Sequence, residues 1–335
     1  MSYVLKKNYI EAGLQATSGV SGHYRITAHK LDGRSRVVAD WFENLILDAG
    51  LTQMGLTGFI TSCSVGTGNA EPVTTQTSLQ SLLATTTTKN TRTFGVNSGL
   101  PYYGWSQVVF RFPVGAAAGN ISEVGVGWTG SNLFSRSLIK DVGGNPTSIN
   151  ILSDEVLDVT YQLRQYAPAS DVTQVISVGG TNHTVTIRPY MVTSSTVGWD
   201  SFASSSSIDY MLGQTVCAIT GNYDYTANLI VYDTSHSLVT PVTNIPYNGT
   251  TNKAYPSKST MGNTFNSTYL NDKVARGGVA LGLNDGNFSG GIALLTVPTI
   301  NLGHYQVGFN PPIPKTASHT LRVDLTIGWD RYTPI

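Results

Sequence analysis

Apolar and polar residues alternate with a period of two along most of this chain, the spacing of half-buried strands. The last run is the cleanest: Leu321, Val323, Leu325, Ile327 and Trp329 fall on one face, Arg322, Asp324, Thr326 and Gly328 on the other. Leu157, Val159, Tyr161 and Leu163 alternate in the same way with Asp158, Thr160, Gln162 and Arg164. Val108, Phe110 and Phe112 share a face, and Val124, Val126 and Trp128 alternate with Glu123, Gly125 and Gly127. Leu133 to Ile139 reads as a strand before the turn Gly143-Gly144-Asn145-Pro146. Near the start, Tyr24, Ile26 and Ala28 share a face; Asp32-Gly33 signals a hairpin, and Arg34 to Trp41 returns. Later, Val185 and Ile187 alternate with polar neighbours, and Leu229 to Asp233 is a short strand. The pattern predicts a mainly β protein.

One stretch breaks the alternation. Leu47, Leu51 and Met54 are spaced i, i+4, i+7, which predicts a helix with Asn44 as N-cap and Gly55 as its stop. Gly50 inside it costs about 1 kcal/mol against alanine, so packing must hold it. Thr77-Ser78-Leu79-Gln80 has the capping-box spacing, and Leu79, Leu82 and Leu83 supply the apolar stripe of a second helix. Between them, Val65-Gly66-Thr67-Gly68-Asn69 lacks the third glycine and the Gly-Lys-Ser/Thr ending of a phosphate loop, and predicts a turn with positive φ. No helix is expected after Leu83.

The expected organisation is two antiparallel β-sandwich-like domains, 1–168 with two helices near 44–84, and 169–335, meeting near Pro168. An echo supports it: Leu157-Asp158-Val159-Thr160 leads to Tyr166-Ala167-Pro168, and Val323-Asp324-Leu325-Thr326 leads to Tyr332-Thr333-Pro334. Elsewhere the halves do not match, so two sheets that end alike are expected rather than a duplication. Ser204 to Ser207 and the stretch from Tyr247 to Met261 read as polar loops.

Charged residues make up 12% of the chain, and 20 cations balance 20 anions. That balance argues against nucleic acid and against an anionic membrane surface, both of which need clustered Lys and Arg. No apolar run approaches a membrane span; Gly291 to Leu295 is among the longest. Residues 1–8 carry no apolar signal region, and the distant Cys63 and Cys217 are expected as reduced, buried thiols of a chain made in a cytoplasm. Weak charge repulsion and open β-edges predict a homo-oligomer, with a trimer favoured.

Candidate chemistry is sparse. The six histidines, His23, His29, His183, His236, His304 and His319, lack ligand spacing. Asn284-Asp285-Gly286-Asn287 resembles part of a calcium loop without the terminal bidentate carboxylate, and reads as a turn. Asp154 and Asp158 share a strand face with Glu155 between them, the raw material of a glycosidase pair, but acidic residues are ordinary at a strand entry. Tyr102, Tyr103, Trp105, Trp199 and Tyr223 suit stacking on sugars as well as core packing. No catalytic, cofactor-binding or metal-binding residue is assigned; the chain is expected not to be an enzyme and to need no cofactor.

The run Trp41-Phe42-Glu43-Asn44-Leu45-Ile46-Leu47-Asp48-Ala49-Gly50-Leu51, then Val65-Gly66-Thr67-Gly68, resembles tail-fibre and related tail structural proteins of tailed bacteriophages. So do Gly119-Asn120-Ile121-Ser122-Glu123-Val124-Gly125-Val126, Leu133-Phe134-Ser135-Arg136 and Val159-Thr160-Tyr161-Gln162-Leu163-Arg164. The likeness covers roughly residues 20–168. It implies a virion component of the fibre, baseplate or tail-adaptor group: a particle-attachment module first and a distal module second. Its partners would be other tail proteins, and a glycan or protein of the host surface. A carbohydrate-binding module or tailspike-like depolymerase, and a capsid decoration protein, are the alternatives.

Overall fold

The computed structural model describes residues 9–55, 58–129, 131–191, 230–243, 245, 253–254, 268–271, 273–299 and 303–334. Trp199, Cys217, Tyr223, the 204–207 loop and most of the 247–261 loop lie outside them. In chain order the elements are β1 (Tyr9–Lys30), β2 (Ser35–Glu43), β3 (Leu45–Ile46), α1 (Asp48–Met54), β4 (Ser62–Gly66), β5 (Leu82–Thr86) and β6 (Lys89–Asn97). Then come β7 (Tyr103–Phe112), β8 (Gly119–Ile121), β9 (Glu123–Thr129), β10 (Asn132–Leu138), β11 (Ile149–Ile151), β12 (Glu155–Tyr166), β13 (Val172–Val178) and β14 (Thr181–Pro189). The rest are β15 (Ile230–Tyr232), β16 (Lys253–Ala254), β17 (Thr268–Asn271), β18 (Val274–Leu281), β19 (Ile292–Thr299), β20 (Gly303–Ile313) and β21 (Thr320–Arg331). The protein is mainly β, and α1 is its one α-helix among the described residues.

The largest sheet runs β17-β18-β21-β1-β12-β7-β6, with β2 also on β1. The 22-residue β1 is the spine; at 3.3 Å per residue it is about 70 Å long. Its first half pairs in parallel with β21, from Tyr9 opposite Thr320 to Val20 opposite Arg331. Its second half pairs with β2 on that edge, and β12 runs antiparallel along the other from Gly19 opposite Tyr166 to Lys30 opposite Glu155. A five-stranded sheet, β3-β10-β9-β4-β5, and a six-stranded sheet, β13-β14-β20-β19-β15-β16, accompany it. Both feed one hydrophobic cluster with the spine's even-numbered residues, such as Val20, Tyr24 and Ile26. From Gln15 to His29 the odd-numbered residues lie on the other face, exposed or half-buried except His23. The chain therefore does not part into separate sheets at Pro168, because β18 and β21 belong to the sheet built by β1, β12 and β7.

Three expectations about the first module are corrected. The helix forms, but Leu47 occupies the N-cap without a side-chain cap, while the Asn44 amide donates to the Tyr161 hydroxyl. Gly50 is there because a Cβ would collide with the Phe134 carbonyl, a contact that outweighs glycine's low helix propensity. The second helix does not form. Residues 67–81 are an irregular strap, and Leu82 begins β5. The backbone groups a helix would pair internally are taken from outside. Glu123 accepts from the N–H groups of Gly68, Gln80 and Ser81; the Thr77 carbonyl accepts from Leu133; the Thr74 carbonyl accepts from Asp48. Gln80 does not cap Thr77: its side-chain carbonyl accepts from Asn69 and Ala70. Nor do Gly66 and Gly68 adopt positive φ; their role is close approach, since a Cβ on Gly68 would lie 2.5 Å from the Glu123 carboxylate.

Candidate functional site

The carboxylates near the start of β12 are held apart by separate cations. Asp154 is exposed and lies 3.5 Å from Lys30 Nζ. Glu155 is buried, accepts two guanidinium bonds from Arg36, and so titrates below the usual range. Asp158 accepts a bidentate pair from Arg111 and lies 3.1 Å from His29 Nε2. The arrangement is three ion pairs, each a charge-assisted contact.

The Asn284-Asp285-Gly286-Asn287 loop is a turn between β18 and β19, with Gly286 at φ 68°. A cation does stand in it, from the protein itself. The ammonium of buried Lys315 donates to Asn287 Oδ1 at 2.8 Å and Leu283 O at 3.5 Å. Burial lowers its pKa, and nearby Asp285 partly offsets this.

The described histidines stay scattered. His183 bonds the Pro311 carbonyl, His236 lies 3.1 Å from Asp233, and His319 bonds Thr316 and Ser318. His23 contacts Ser21, and burial plus the neighbouring Arg164 charge lower its pKa to about 4. Among the described residues no three potential ligands gather around one point. Cys63 is a buried free thiol, its pKa raised by burial.

Sequence reasoning missed the buried ion pair that holds the strap. Glu123 and Arg136 are both fully inaccessible, and Arg136 Nη2 lies 2.8 Å from Glu123 Oε2. Arg136 also donates to Gln76 Oε1 and to the Ala70 carbonyl. Burial opposes ionisation of Glu123, but the Ser81 and Gln80 N–H groups and Arg136 outweigh it and hold the carboxyl below its usual range. Glu123 opens β9 opposite Leu138 of β10, and Arg136 lies opposite Gly125, so the two meet diagonally across a hydrogen-bonded pair of strands. The only sequence signal was a charge inside an apolar strand.

The aromatic candidates divide. Tyr102 packs beside Ala167 and Met191, whereas Tyr103 and Trp105 lie on the outward face of the large sheet. There, cross-strand register sets Tyr103 opposite Tyr166 and Trp105 opposite Arg164. Tyr103 and Tyr166 meet with centroids 5.0 Å apart, and Tyr332 stacks on Tyr166 at 3.5 Å and 7°. Arg164 lies over Tyr103 at 5.0 Å, and its Nε donates to Gln162, which in turn donates to Gln107. Two glycines make room: a Cβ on Gly95 would lie 2.6 Å from the Trp105 ring, and one on Gly19 would lie 2.9 Å from Tyr332.

No family model, characterised protein or solved structure matches the chain. No helix among the described residues is long and apolar enough to cross a membrane.

Proposed function

We propose that this chain is a structural component of a bacteriophage tail, of the fibre, baseplate or adaptor group, acting in assembly and host attachment. The observation that carries it is where the resembling runs lie. Leu45 to Leu51, Val65 to Gly68, Gly119 to Val126 and Leu133 to Arg136 supply α1, the start of the strap and strands β3, β4, β8, β9 and β10, with Glu123 bonded to Arg136 and Gly68. Trp41 to Glu43 and Val159 to Arg164 lie in β2 and β12 of the large sheet, and every run adds side chains to one hydrophobic cluster. The body reads as two packed halves, with residues 1–168 attaching to the particle and 169–335 facing outward, stitched together by β1 and β21.

Self-association follows from β5, the end strand of its sheet. From Ser81 to Thr88 there is no charge, and Leu82 and Leu83 are 55% and 41% exposed. An uncharged edge strand is a pairing template, so a homo-oligomer is the expected form, a trimer in a fibre.

Epitope insertions test the placement. One goes at the exposed Asp32-Gly33 turn, the other at the Gly179-Gly180 hairpin tip. Antibody should label the second tag on the tails of intact particles, and the first only after disassembly. Absence of both tags from gradient-purified particles overturns the virion reading; the reverse labelling overturns its polarity.

A further inference from the structure

We propose that the outward face of β7 and β12 binds an acidic saccharide, with Arg164 taking the sugar carboxylate and Tyr103 and Trp105 taking the ring. The inference rests on this face alone and holds whether or not the chain belongs to a virion.

The charge points to an anion. Arg25, Arg34, Arg36, Arg111, Arg136, Arg188 and Arg331 each meet a carboxylate. Arg164 meets none among the described residues: Nε is held by Gln162, and the terminal nitrogens have no described partner. Gln162 is held in turn by Gln107, so the guanidinium is oriented before any ligand arrives. A planar fork with two free donor nitrogens matches a carboxylate.

The surroundings point to a sugar. Register puts Trp105 beside Arg164 and places Tyr103 one step along the same strand face. Gly95 lets the indole lie across β6, and Gly19 lets Tyr332 lie flat on Tyr166. Tyr332 covers Tyr166, which is buried, so the half-buried rings of Tyr103 and Trp105 are the aromatic surface this face offers. Pyranose rings present C–H groups that pack on such rings, while the half-buried Gln107 amide suits a hydroxyl. A nucleic-acid backbone fits worse, because the neighbouring cations Arg25 and Arg111 are already neutralised by Asp40 and Asp158.

The test is calorimetric titration of the full chain with oligogalacturonate and oligosialate, their carboxyl-reduced forms, and poly-glutamate. At least one acidic saccharide should saturate, and its reduced form should bind at least tenfold more weakly. Arg164→Gln should weaken the acidic ligand by about tenfold or more, the loss of one charge-assisted contact. Its melting temperature should not change, because Arg164 is half-exposed and outside the core. Trp105→Ala should remove binding; Trp105→Phe, which keeps a ring there, should restore part of it. The proposal is overturned if neither acidic saccharide saturates, if the reduced forms bind equally, or if Arg164→Gln has no effect. It is also overturned if poly-glutamate binds as tightly as the sugars, which would make an acidic peptide the partner.

Discussion

The His23 imidazole lies 3.2 Å from the Ser21 hydroxyl, and burial together with the Arg164 cation lowers its pKa to about 4 from an ordinary 6.5. The folded state therefore binds fewer protons than the unfolded one between those values. The stability this contributes is present in full above pH 6.5 and is lost as the pH falls toward 4. Denaturant midpoints should drop through that window, and His23→Gln should flatten the drop; an NMR titration placing His23 near 6.5 would contradict it. Glu123 and Glu155, with lowered pKa values, add their own losses below the ordinary carboxylate range. Glu123 also carries a second prediction. Glu123→Gln leaves the fully buried Arg136 without its counter-charge and should cost about 3–5 kcal/mol in chemical denaturation. Replacing both partners with apolar residues of similar volume should cost less. If Glu123→Gln loses under about 1 kcal/mol, the pair does not hold the strap, since charge removal there must strand a desolvated cation.

At the level of elements, alternation located most strands because each buries one face, and period two is what a half-buried strand imposes. The same reasoning found α1: Leu47, Leu51 and Met54 are all fully buried. It failed at Thr77 to Leu83. Leu79 is buried with Leu47 and Leu133, but Leu82 and Leu83 point to solvent from an edge strand. Local spacing cannot reveal that Glu123, far along the chain, takes the N–H groups of Gln80 and Ser81. Two outcomes follow from these placements. Leu51→Asp puts a charge in the core rather than on a docking face, so the variant should fail to fold, with soluble expression and circular dichroism as the readout. Leu83→Lys places a charge on the open edge of β5 and should shift the proposed homo-oligomer toward monomer in sedimentation velocity, leaving the fold intact. An unchanged sedimentation profile would move the interface elsewhere.

Across the whole molecule, the feature least visible in the sequence is the parallel pairing of β1 with β21, because alternation identifies strands but not partners. One trace of it was present. The Tyr-x-Pro echo ending at Pro168 and Pro334 marks two strands that flank β1, and its tyrosines, Tyr166 and Tyr332, stack face to face beside Gly19. What read as two sheets ending alike is two strands of one sheet, β12 and β21, ending together on either side of β1. The C-terminal strand also fastens α1: Trp329 Nε1 donates to the Leu51 carbonyl at 2.7 Å, and Arg331 reaches the Ile46 carbonyl and the Asp48 carboxylate at 2.6 Å each. Residues 1–168 alone would leave the first half of β1 without β21 and Leu51 without the indole. Such a fragment should lack cooperative unfolding, and residues 169–335 alone should as well, having lost the strand on which β21 is built. Co-expressed as two pieces divided at the exposed Ser170, they should assemble into a soluble complex that melts cooperatively. Pull-down of one tagged piece and a thermal melt of the eluate check this. A cooperative melt from residues 1–168 by themselves would show that the ladder between β1 and β21 is dispensable, and would restore Pro168 as the edge of an independent domain.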